Sequence, residues 1–170
     1  MSEASSNSPI TLRPIGWVRS PYRRRFGTPQ QAAAVDSDAE AVLELSDEMP
    51  EASLSDLEGM ERIWVLSWLD RGGTWAPLVR PPRGRRIKRG LFATRSPDRP
   101  NPIGLSAVRL VRIEGRRLYV RGIDLLDGTP ILDLKPYVAY ADAFPDAKSG
   151  WIDEIPRDAP QLARYVADPE

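Results

Sequence analysis

The stretch Leu105–Ile123, LSAVRLVRIEGRRLYVRGI, reads as two strands joined by a tight turn. Apolar residues alternate in part along Leu105–Ile113 and again along Arg117–Ile123, the period-2 signature of half-buried strands. Glu114-Gly115 between them is a hairpin turn, because glycine takes positive φ without strain. Upstream, Ile63–Leu69 (IWVLSWL) is the most apolar run and is bounded by charge on both sides. Its length and aromatic content fit a buried strand better than a helix. Downstream, Asp127-Gly128 is a second turn signal, followed by the strand Ile131–Leu134. Ala41–Leu45 and Arg89–Thr94 are further strand candidates. Ile10–Val18 is one too, an edge or bulged strand at best because Pro14 lies inside it.

The connections agree with this. Proline accounts for 17 of 170 residues, about twice the usual ~5%, and its spread through the chain disfavours long helices. Short helices are predicted only near Ser53, with Asp56 as a first-turn acid, and over Pro160–Val166. Residues 1–9 are polar and Ser-rich and read as a frayed, disordered tail. The remainder, 10–170, has the length of one domain. The predicted fold is mainly β: a small antiparallel barrel with a few short helices, not a Rossmann-like sheet. No internal repeat, heptad, GxGxxG or P-loop pattern occurs.

Composition excludes whole classes of chemistry. Cysteine and histidine are absent, which removes disulfides, thiolate nucleophiles, histidine bases and His- or Cys-ligated metal. No run approaches the ~20 apolar residues of a membrane helix. The start, MSEASSNSP, lacks the basic and apolar regions of a secretory signal, so a cytoplasmic location is the default expectation. Lys+Arg and Asp+Glu number 24 each, yet the charge is segregated. Arg23, Arg24 and Arg25 lie early. Arg71, Arg85, Arg86 and their neighbours form a basic Gly/Pro-rich middle, and acids concentrate between Asp36 and Glu61. Arginine suits phosphate contacts and base stacking, so Arg23, Arg24, Arg25, Arg85, Arg86 and Arg99 are candidate RNA contacts.

Three stretches carry the candidate chemistry. Arg95-Ser-Pro-Asp-Arg-Pro-Asn-Pro-Ile-Gly104 is pre-stiffened by its prolines and presents Arg95, Arg99 and Asn101 to a polar ligand. Its alternative is an ordinary barrel-corner loop. Asp124-Leu-Leu-Asp-Gly-Thr-Pro130 puts carboxylates at a strand end, to accept hydrogen bonds from ligand hydroxyls or attract a cation. Its alternative is a hairpin turn whose aspartates bond backbone N–H groups. Phe26-Gly-Thr-Pro-Gln-Gln31 offers amide donors and acceptors on a turn, or is a plain polar loop.

Five segments together, GWVRSPY (16–22), RIWVLSWLD (62–70), VRPPRG (79–84), FATRSPDRPNPIGLS (92–106) and GIDLLDGTPILDLKPY (122–137), resemble the TrmO/TsaA-like family, also called YaeB. The resemblance covers roughly Ile15 to Asp146. It implies an S-adenosylmethionine-dependent methyltransferase built on a small antiparallel β-barrel, working as a homodimer on tRNA. The reaction implied is methylation of N6 of N6-threonylcarbamoyladenosine, the modified adenosine beside the anticodon. The family's cofactor contacts fall on Pro29, Gln30 and Gln31; on Asp70 and Arg71; on Arg95; on Leu105; and on Asp124, Leu125, Leu126 and Asp127. This sequence departs from the family pattern at Gln30, where an arginine is usual, and at Asp70-Arg71, where His-Gln is usual. The chain ends where longer members continue into a further C-terminal domain. Other readings stay open: a relative methylating a small molecule or another RNA, or a cofactor- or RNA-binding module without turnover. No membrane and no metal are expected.

Transfer of a sulfonium methyl is mostly a matter of alignment. The N6 nitrogen of a carbamoylated adenosine keeps a proton, which a nearby base must take. Without histidine or cysteine, the candidates are Asp124, Asp127, Asp70 and Tyr137.

Overall fold

The computed structural model describes residues 9–24, 39–82, 84 and 87–156. Its frame is eight strands: β1 (Gly16–Arg19), β2 (Glu40–Leu45), β3 (Arg62–Trp68), β4 (Leu78–Val79), β5 (Arg89–Gly90), β6 (Ile103–Glu114), β7 (Arg117–Arg121) and β8 (Pro130–Pro136). Six of them close an antiparallel barrel in the order β1-β2-β7-β6-β3-β8, and β8 pairs back onto β1. β4 and β5 make a separate two-stranded ribbon. One short helix, α1 (Ala139–Asp142), follows β8. The barrel confirms the mainly-β reading, and closure removes the exposed sheet edges that an open sheet would carry.

Strand alternation sorts the side chains. On β3, Ile63, Val65 and Ser67 are buried while Trp64, Leu66 and Trp68 are half-buried on the outer wall. Val18, Leu43, Leu118, Val120, Val108 and Ile131 complete the interior, all fully buried. Truncating a leucine in such a position to alanine costs roughly 2–5 kcal/mol, so this small core is well specified. The hairpin expected at Glu114-Gly115 is present. Glu114 pairs with Arg117, and Gly115 takes φ 57°, the conformation that a two-residue turn with glycine in its first central position requires. β6 is long because it serves two neighbours, β3 through its first half and β7 through its second. A register shift between Leu110 and Arg112 marks the changeover. Such a bulge bends a strand and sharpens its twist, as a small barrel needs.

Three local expectations are corrected. The strand placed over Ile10–Val18 shrinks to Gly16–Arg19. Pro14 has no N–H for a ladder, and Ile10 and Leu12 are exposed. Arg89–Thr94 is extended only at Arg89–Gly90, then coils into a 3-10 turn over Leu91–Ala93 that sinks Leu91 into the interior. The Ser53 helix is a 3-10 turn over Glu51–Leu54. Ser53 does not cap it: its Oγ donates back to the Pro50 carbonyl at 2.6 Å. The Pro160–Val166 helix lies outside the described residues.

Outside the barrel, Arg19 Nε donates to Glu44 Oε2 at 2.8 Å, with Arg117 3.4 Å from the other oxygen. The Arg19 hydrogen bond holds the Glu44 carboxyl below the usual carboxylate range. A lowered folded-state pKa gives stability that is present above the unfolded value and lost as pH falls through the folded one.

Candidate active site

The candidate segments converge at one end of the barrel, where β3 and β7 finish and β6 and β8 begin. The loop after β3 is the hinge of this arrangement. Leu69 N–H donates to the Pro102 carbonyl at 2.7 Å, and Gly72 N–H closes a turn onto Leu69 O at 3.1 Å. Gly73 N–H donates to Asp98 Oδ1 at 2.6 Å. These bonds fasten residues 69–73 to the proline-rich loop. On its other side the exposed Arg71 reaches across the barrel end, its Nη2 donating to the Asp127 carbonyl at 2.6 Å. The proline-rich loop, the Asp70-Arg71 loop and the Asp124–Gly128 segment are thus one connected surface.

The Asp124–Gly128 segment is held by its other neighbour as well. Ser20 Oγ donates to Leu125 O at 2.8 Å, and Asp127 N–H to Tyr22 O at 2.7 Å. Asp127 Oδ1 accepts the Ser20 N–H at 3.2 Å, so this carboxylate fulfils the turn-bracing alternative. Asp124 differs. It is half-buried and accepts a short bond, 2.5 Å, from the hydroxyl of Ser106. Ser106 itself is buried on the inward face of β6. Asp124 is therefore a carboxylate oriented from beneath, at the rim of the barrel.

Several predicted residues are placed otherwise. Leu125 is buried in the core and can offer a ligand only its main chain, whereas Leu126 is half-exposed. Leu105 is 57% exposed on the outer wall beside Leu66. Its neighbour Ser106 points inward, so Leu105 and Asp124 lie on opposite faces of β6. Tyr137 follows β8 at the start of β3, where its N–H bonds Arg62 O and its ring lies 5.4 Å from that of Trp64. β3 separates it from the Arg71 loop by about 20 Å at the usual strand rise. Tyr137 and the Arg71 loop of one chain thus stand at opposite ends of β3. Arg99 is half-buried and spends Nη1 on the carbonyls of Thr94 (2.9 Å) and Ser96 (3.3 Å), bracing its own loop. Arg95, Arg23 and Arg24 are exposed near the same end. Pro29, Gln30, Gln31, Arg25, Arg85 and Arg86 lie outside the described residues.

Residues that sequence reasoning missed hold the site together. Ser106 and Asp98 are the chief ones, with Ser20 as the clip on the Asp124–Gly128 segment. The signal for Ser106 is visible in retrospect: it is a hydroxyl in the inward phase of an otherwise apolar strand. Gly104 is a close approach. A Cβ there would strike Ser67 Oγ and the Leu69 side chain, so glycine lets β6 lie against the end of β3 where the Arg71 loop departs. Among the described residues no group of three or more acidic, His or Cys side chains is placed to hold a metal ion, and no helix is long and apolar enough to cross a membrane.

Comparison with known proteins bears on the same residues. The sequence profile described as tRNA-methyltransferase O N-terminal domain matches residues 17–143. A "Probable S-adenosyl-L-methionine-binding protein" of Archaeoglobus fulgidus is 44% identical over 145 residues, 85% of this chain and 38% of that protein. The "tRNA (adenine(37)-N6)-methyltransferase" of Escherichia coli is 38% identical over 171 residues, 96% of this chain and 72% of its own. A crystal structure of TrmO from Pseudomonas aeruginosa superposes with a TM-score of 0.69 at 39% identity, covering 85% of this chain and 63% of that one. The chain thus spans 38% of the archaeal relative's length and 63% of the solved Pseudomonas chain. A profile match running through the barrel and every described segment of the site shows that the chain belongs to the tRNA-methyltransferase O N-terminal domain family.

Proposed function

We propose that this barrel end binds S-adenosylmethionine and methylates N6 of the adenosine beside the tRNA anticodon, in its N6-threonylcarbamoyl form. The observation that carries the reading is the Arg71 bridge. One side chain ties the loop latched to the proline-rich segment onto the aspartate-bearing strand end. The names of the archaeal and Escherichia coli relatives supply the cofactor and the base.

The residues present fit such a cofactor by the chemistry of their donor set. Asp124 offers a carboxylate to a cation, Arg71 a guanidinium to a carboxylate, and Leu126 an apolar contact to a ring. The main-chain carbonyls of Asp124–Gly128, each with a second lone pair, suit ribose hydroxyls. When bound, the cofactor supplies an electrophilic methyl on a sulfonium. This chain's residues do the positioning, which is the larger part of catalysis for such a transfer. Asp124, oriented by Ser106, is the carboxylate we assign to receiving the N6 proton. Asp127 is committed to the Ser20 N–H, and Asp70 is exposed on the loop. Pro29, Gln30, Gln31 and Arg95 complete the proposed cofactor contacts, and the exposed Arg23 and Arg24 the tRNA contacts.

A homodimer belongs to the same proposal. Trp64, Leu66 and Trp68 on β3 stand beside Ala107, Leu105 and Ile103 on β6. Together they form an apolar stripe on the outer wall, with Ile103 45% and Leu105 57% exposed. Covering such a stripe is favourable at roughly 25 cal/mol per Å². Light scattering at micromolar concentration is expected to give twice the chain mass, and a monomer mass would remove this part. A cytoplasmic location follows from the proposed substrate.

The activity itself is tested with methyl-labelled cofactor and two tRNA preparations, with and without the threonylcarbamoyl group. Label is expected in the carbamoylated tRNA alone, at N6 of the modified adenosine. Label in neither preparation contradicts the reading. Label in both moves the substrate to unmodified tRNA.

A further inference from the structure

Phe92 stands on the turn between β5 and the proline-rich loop. Phe92 is 82% exposed, yet the turn that carries it is held at both ends. It occupies the centre of the 3-10 turn Leu91–Ala93. Leu91 is buried and its N–H bonds Pro77 O at 2.9 Å. Thr94 returns both its N–H (3.1 Å) and its hydroxyl (2.8 Å) to Leu91 O. Ala93 O accepts the Trp151 indole N–H at 2.9 Å. A large apolar ring displayed to water on a fixed turn loses little further freedom on binding.

The chemistry around the ring is cationic. The Arg99 guanidinium lies 5.5 Å from the ring centroid, held by the Thr94 and Ser96 carbonyls. Exposed Arg95 and Lys88 flank the turn in sequence. Asp98, the acid of the proline-rich loop, accepts the Gly73 N–H. Glu154 lies beside Trp151 and Arg89. An aromatic face backed by a guanidinium and flanked by further cations is the combination on which unpaired nucleotides stack, with their phosphates satisfied alongside. It is also continuous with the candidate site, because Asp98, next to Arg99, latches the loop that carries Arg71.

We infer that Phe92, supported by Arg99, is a stacking shelf for an unpaired base of the RNA substrate adjacent to the target adenosine. The inference rests on the proposed tRNA reading and deepens it by naming where the RNA loop is gripped.

The test compares wild type, Phe92→Ala and Phe92→Trp. The readouts are steady-state methylation of threonylcarbamoylated tRNA, calorimetric binding of adenosylmethionine, and mass by light scattering. Phe92→Ala is expected to raise KM for tRNA about tenfold or more, the scale of one lost base stack, with cofactor affinity and mass unchanged. Phe92→Trp is expected to restore KM. An unchanged KM in Phe92→Ala overturns the shelf while leaving the methyltransferase reading intact. So does a fall in mass, which would make Phe92 a contact between copies. A wild-type protein inactive on every tRNA removes the methyltransferase reading and the shelf with it, and is thereby distinguished from failure of the shelf alone.

Discussion

Asp124→Asn is expected to reduce methyl transfer roughly 10²–10⁴-fold, the span that removing a positioned proton acceptor covers. The substitution is chosen because it changes charge and little else. Asparagine keeps a carbonyl oxygen to accept the Ser106 hydroxyl, so the buried serine is not orphaned. Unfolding free energy should therefore shift by no more than about 1 kcal/mol, the net worth of one altered hydrogen bond. Adenosylmethionine affinity should fall less than the rate does, because the carboxylate's attraction for a cation at a half-exposed rim is weakened by water. Rapid-quench measurement of labelled methyl transfer separates the two quantities. A variant retaining full rate would show that Asp124 is a structural acceptor for Ser106 and nothing more.

Gly104→Ala is expected to damage fold and function together. The added methyl meets Ser67 Oγ and lies 3.1 Å from Leu69 Cδ2. Ser67 is fully buried and paired on both sides, with Gly104 of β6 and Ile131 of β8, so it cannot step aside. Overpacking of this kind costs roughly 1–3 kcal/mol. Any relief must come through Leu69, whose N–H to Pro102 O starts the Arg71 loop. Urea unfolding should show the destabilisation, and cofactor binding should weaken with it. The double variant Gly104→Ala/Ser67→Gly removes the struck hydroxyl and is expected to recover much of both. If Gly104→Ala alone unfolds and binds as wild type does, the close contact between the ends of β3 and β6 is not what fixes the loop.

How far the sequence reveals this molecule depends on which interactions set each element. β3, β6 and β7 were legible because alternation and a glycine turn are local signals, and a closed barrel simply repeats them. Arg89–Thr94 was not. Its apolar Leu91 and Phe92 look like strand residues; the ladder to β4 ends with the Leu91 N–H on Pro77 O, and Thr94 then folds the chain back by returning its N–H and hydroxyl to Leu91 O. The paired leucines 125 and 126 carry no phase after a strand has ended, so nothing local says which one enters the core. The site shows the same division. The motifs locate the loops, and the structure brings Arg71 and Asp127 together. The supports that orient them, Ser106 under Asp124 and Asp98 under Gly73, are long-range pairings that spacing does not encode. Tyr137 shows the converse. Closeness in the motif to Asp124 says nothing of space, because β8 carries it to the far end of β3.

In the proposed function, adenosylmethionine sits where the Arg71 loop meets the Asp124–Gly128 segment. A crystal structure of the chain with adenosylmethionine tests this most directly. The expected result is cofactor density contacting both Arg71 and the Asp124–Gly128 main chain, with the Asp124 carboxylate facing it. Cofactor bound elsewhere on the protein, with that barrel end empty, would contradict it.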